Sequence, residues 1–245
     1  MSAVAVVLLA FALIVLSTGL GLLLRHRLPE RHLSGDSKEV IKLATALVGT
    51  MSALVIALLF ASTRASYEAT GSQISHLTAN VIELDRILKG LGDEGTALRK
   101  VLREDVKILA DSIWQSESGN STKAIAEEVS VVAKLRQLVT QDPQGVWQAR
   151  ALAVSNALAQ IQLSIQSHPS DSMSKPFVFL LVLWLCFIFA TFAMSSAPNT
   201  TLLFVLFFCA LSAASAIYLI LELGQPFDGL MQVPSAQLRN ALPPL

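Results

Sequence analysis

The sequence predicts an all-α fold: four transmembrane helices with a helical-bundle extramembrane domain inserted between the second and the third. Three observations lead there. The stretch from Lys42 to Arg64 places about 21 uncharged residues between two basic ones, and a helix of that length rises ~31 Å, enough to cross the hydrocarbon core of a bilayer. Residues Pro176–Leu221 carry no charge over about 46 positions. Between these apolar ends, residues 64–175 hold 12 Lys/Arg and 13 Asp/Glu, the content of ordinary water-exposed material.

Taken in order, residues 1–24 form the first span. A signal peptide would carry basic residues before a shorter apolar core, whereas here Arg25 and Arg27 follow a run of about 22 residues, so an uncleaved helix is expected. Its last third, Ser17-Thr18-Gly19-Leu20-Gly21, is small enough for close helix contact. Residues 25–41 make a connector with the turn formers Pro29, Gly35 and Asp36. Ser37 is placed to cap the next helix, and residues 42–63 form the second span. No proline follows for a long way, so one helix is expected to run through the span and on to about Leu91.

Beyond Arg64 the pattern becomes amphipathic. Ile74, Leu77, Val81, Leu84, Leu88 and Leu91 recur at steps of three and four and make one buried stripe. Gly90, Gly92 and Gly95 are expected to break the helix. A second bundle helix is expected over about 96–117 with Leu98, Leu102 and Val106 inward. A third should run from Ser121 or Thr122 to about Thr140. A fourth should start at the Asp142-Pro143 signal and carry Trp147, Val154 and Leu158. One helix across Pro176–Leu221 would be ~69 Å long, too long for a bilayer. The polar Ser195–Thr200 stretch therefore reads as a hairpin turn between spans 176–195 and 200–222. Residues 223–245 form a tail in which Ser235–Leu242 has room for one or two helical turns.

The composition excludes several classes. The chain has 245 residues, 53% of them hydrophobic and 15% charged, and its 18 basic residues balance 18 acidic ones. No bulk field draws nucleic acid. Cys186 and Cys209 lie inside apolar runs, which speaks against a disulfide or metal site. His26, His32, His76 and His168 lack metal-ligand spacing, and no HEXXH, Walker, GxGxxG or GxSxG pattern occurs. The expectation is no catalytic residue, no metal and no cofactor.

Two features stand out as candidate sites. In the second span Lys42, Thr45, Gly49, Ser52, Ile56 and Thr63 share roughly one helix face. This stripe can line a pore, with Ile56 as an apolar constriction. It can equally serve close helix packing, which small and hydroxyl residues favour. In the tail, Pro226, Asp228 and Gly229 form a turn: proline fixes one dihedral and glycine permits a positive φ. Glu222, at the end of the last span, is a boundary acid that reaches water cheaply.

Residues 28–68, LPERHLSGDSKEVIKLATALVGTMSALVIALLFASTRASYE, and residues 221–242, LELGQPFDGLMQVPSAQLRNAL, resemble the bestrophin-like family of bacterial membrane proteins. The order of two spans, a helical insert, two spans and a Pro-Phe-x-Gly tail matches as well. The resemblance implies a bestrophin-like architecture, a likeness to pentameric anion channels with a second-span pore, and a cytoplasmic helical domain. The acidic calcium clasp and aromatic-rich neck of true bestrophins do not occur here, and Phe60 is the only aromatic of the second span. Counting basic residues near span ends favours the 25–41 connector in the cytoplasm and the bundle outside, the reverse of what the resemblance implies.

The functional expectation is a multi-pass inner-membrane protein that forms a homo-oligomeric ion channel, with inorganic anions and membrane lipid as its small partners. The alternative is a non-conducting interaction or sensor protein whose helical domain docks a partner. No inverted repeat or broken span points to a transporter.

Overall fold

The structure is a computed structural model. It describes residues 3–27, 36–90, 92–114, 150–154, 156–157, 160, 175–196, 199–227 and 229–242. Those residues are helical apart from turns, and they fall into two compact units. One unit comprises Met1–Ser66 and Asp171–Gln225, the other Tyr67–Ser170 and Pro226–Leu245.

Six helices are named here: α1 (Ala3–Arg27), α2 (Asp36–Lys89), α3 (Gly92–Trp114), α4 (Lys175–Ser195), α5 (Thr200–Leu223) and α6 (Ala236–Arg239). Four of them, α1, α2, α4 and α5, contain stretches long and apolar enough to cross a membrane. The expected third bundle helix and the site of Trp147 lie outside the described residues. Of the expected fourth helix, residues 150–154 are seen as helix.

In the first unit α1 lies against α4 and α5. Ile14, Leu181, Phe189, Leu206 and Ile217 form its core, and Ile56 and Leu59 of α2 pack onto that core. The small end of α1 makes a close approach: a Cβ added to Gly21 would run into the Ala190 backbone. The Arg25 guanidinium donates to the Met194 carbonyl at 3.3 Å, which joins the end of α1 to the end of α4. Phe11 and Phe207 meet edge to face with centroids 5.9 Å apart.

α2 is one helix of 54 residues. It starts at Asp36, which puts Ser37 within its first turn. It ends at Lys89, where the Gly90 N–H bonds to the Ile87 carbonyl at 3.0 Å. Gly92 and Gly95 do not break the helix that follows. They sit in the first turn of α3, where N–H groups have no intrahelical partner in any case, so the start moves four residues ahead of the expected Thr96.

The core of the second unit contains the predicted stripe. Leu77, Val81, Leu84 and Leu88 of α2 pack with Leu98, Leu102 and Val106 of α3, with Ala151 and Val154, and with Leu238 of α6. Leu238 is fully buried. The tail thus completes the core begun by the helical insert.

Candidate functional site

The apolar half of α2 is the candidate site. Inside a bilayer an apolar helix needs no polar face, so its orientation is set by what its own chain covers. Of the four membrane-length windows α2 is covered least: 11% of it is buried, against 39% in α4.

The buried line consists of Thr45, Ser52 and Thr63, each 5% exposed or less. Steps of seven and eleven residues return to the same side of a helix. Each hydroxyl is satisfied within the chain. Thr45 donates to the Ile41 carbonyl at 2.7 Å, Ser52 to Val48 at 2.8 Å and Thr63 to Leu59 at 2.9 Å. Thr45 also meets the Thr191 hydroxyl of α4 at 3.2 Å. Ile56 is half-buried on the same line. Gly49 is half-buried beside it, and a Cβ there would touch nothing within 4 Å. Lys42 is exposed.

About a third of a turn away, Ala46, Thr50, Ala53 and Ala57 form an exposed sector of small residues. Thr50 is its only hydroxyl and bonds to the Leu47 carbonyl at 2.8 Å. Lys42 and Gly49 border this sector. Opposite the buried line, Leu43, Leu47, Leu54 and Leu58 stand exposed. The small sector was visible in the sequence as alanines and a threonine at steps of four, three and four. The hydroxyl-bearing line of Thr45, Ser52 and Thr63 packs inward.

The tail turn is built as its residue types require. Pro226 is buried, and Gly229 is the one described residue with a positive φ, at 85°. The Val233 N–H bonds to the Pro226 carbonyl at 2.8 Å, which closes the loop. Trp114 Nε1–H donates to the Val233 carbonyl at 3.0 Å, and its ring meets Phe227 edge to face at 5.7 Å. Asp228 lies outside the described residues. Glu222 is buried near the end of α5.

In the helical bundle the covered charge is Asp85. Arg99 grips it with Nε at 2.8 Å and a terminal nitrogen at 2.9 Å, and Arg103 stands 3.7 Å away. The hydrogen bond to Asp85 raises the Arg99 pKa above the ordinary arginine value. Among the described residues no group of His, Cys, Asp and Glu is arranged to hold a metal ion.

Four membrane-length helices and an apolar second helix largely uncovered by its own chain define a helical membrane protein. The family model for the Bestrophin-like domain matches residues 10–238. The chain belongs to that family. Comparison with curated proteins and comparison with solved structures return no match.

Proposed function

We propose that the protein is a homo-oligomeric anion channel of the bacterial inner membrane in which copies of α2 surround the conducting axis. The observation that carries this reading is the uneven coverage of α2. Its buried line turns toward its own chain, while Ala46, Thr50, Ala53 and Ala57 stand exposed. Small residues let several helices converge on one axis. Lys42 at one end of the span raises the local concentration of anions. In this reading Lys42 and Gly49 border the path, and Thr45, Ser52, Ile56 and Thr63 set the rotation of the helix that lines it. Five copies is the number the family resemblance implies.

The test is anion flux in liposomes holding the purified protein, combined with single cysteines along α2 in a background without Cys186 and Cys209. Flux that is blocked when thiol reagents modify Ala53→Cys or Ala57→Cys, and is untouched by reagent at Ser52→Cys, supports the reading. An intact oligomer that passes no ion rejects it.

One observation favours a second reading. The open sector is almost wholly apolar and its one hydroxyl is already bonded, so facing copies can close against each other without water. The spans would then anchor and assemble a protein whose helical bundle docks a partner. An oligomer without flux, together with a stoichiometric partner retained in mild detergent, selects this alternative.

A further inference from the structure

We infer that the crevice between α1 and α5 is a binding site for an anionic phospholipid, with an acyl chain in the crevice and the phosphate against Arg25 and the first turn of α5. The inference is independent of conduction. The crevice has a volume of about 590 Å³, within the roughly 300–1,000 Å³ usual for small-molecule sites. Val15, Gly19 and Leu22 form one wall, and Leu203, Phe207 and Ala210 the other. Gly19 opens it, since a Cβ there would meet nothing within 4 Å. The Thr18 hydroxyl at its edge is turned to the Ile14 carbonyl at 2.8 Å, so it asks for no water. The walls therefore suit a hydrocarbon chain.

The crevice has a direction. Phe11, well inside α1, rings against Phe207, and Arg25, near the end of α1, reaches Met194. Val15 and Ala210 thus lie deep, and Leu22 and Thr200 lie toward the hairpin. Beyond Leu22 by one turn is Arg25, which uses one of its five N–H donors on Met194. The first turn of α5 adds to the positive end. It holds no acidic residue, and its N-cap Asn199 makes no side-chain capping bond. An apolar slot that ends at an arginine and at a helix start without a side-chain cap from Asn199 matches a lipid with a negatively charged head better than a zwitterionic one.

The test uses full-length protein in mild detergent, delipidated and offered phosphatidylglycerol or phosphatidylcholine with the same acyl chains. Bound lipid is counted by native mass spectrometry. Wild type should retain phosphatidylglycerol over phosphatidylcholine by roughly tenfold. Gly19→Leu fills the slot and should lose both lipids while keeping the melting temperature and oligomeric size. Arg25→Gln should bring phosphatidylglycerol down to the phosphatidylcholine level. Equal retention of the two lipids by wild type overturns the inference. So does undiminished phosphatidylglycerol on Gly19→Leu, or an oligomer that falls apart in that variant, which would mark a second copy as the occupant.

Discussion

The hydroxyl of Thr45 on α2 lies 3.2 Å from the hydroxyl of Thr191 on α4, and both residues are buried. Each also has carbonyl acceptors on its own helix: Ile41 for Thr45, and Phe187 and Ile188 for Thr191. One proton per hydroxyl cannot serve all of them, so the contact across the helices competes with the contacts along them. Replacing Thr45 by Val keeps the shape and leaves Thr191 with partners of its own. Thr45→Val should therefore cost only about 0.6 kcal/mol, the average for such bonds between membrane helices. Reversible unfolding in mixed micelles reads that value, and a loss of several kcal/mol would show that the hydroxyl pair does more than hold the two helices in register.

The two glycines of α1 should respond in opposite ways. Gly21→Ala puts a methyl against the Ala190 backbone, which cannot rotate aside as a side chain can. The helices must part, at about 1–3 kcal/mol. Gly19→Ala meets open space and stiffens the helix, a gain of up to about 1 kcal/mol. Melting temperatures of the two variants in one detergent make the comparison.

Trp114 fastens the tail to the bundle. Trp114→Phe keeps most of the ring against Phe227 but removes the donor to the Val233 carbonyl. Val233 is buried, so its carbonyl is left short of a partner, at a cost of about 1–3 kcal/mol. Limited proteolysis should then cut the tail around Gly229–Pro234 sooner than in wild type.

The arginine–carboxylate pairs Arg99–Asp85, Arg150–Glu83 and Arg239–Asp111 should rank by cover. Arg150–Glu83 and Arg239–Asp111 are open to water, and Arg150→Ala or Arg239→Ala should each change stability by about 1 kcal/mol or less. Arg99→Ala should exceed both, because it strips a two-point partner from the buried Asp85. High salt should narrow the effect of the first two and leave the third nearly intact.

The sequence carried the long runs and the stripes well. Leu77, Val81, Leu84 and Leu88 are buried as their spacing demands, because a water-exposed helix must hide its apolar side. The rotation of α2 within its apolar half was not legible. Lipid accepts any apolar face, so Leu43 and Leu54 stand outside while the hydroxyls of Thr45 and Ser52 turn inward onto their own backbone. Gly92 and Gly95 have the look of breakers in the sequence, yet a first helical turn tolerates glycine. The meeting of Trp114 with Val233 joins positions 119 residues apart, and nothing local announces it.

Leu238 sits in the same core as Leu84 and Leu102, yet it is made after the two last apolar helices. During synthesis the bundle therefore stays unfinished until α4 and α5 have left the ribosome. A chain that stalls before Ala236 exposes an unfilled core to proteases. A correctly closed bundle, in turn, certifies that translation went past the final hairpin.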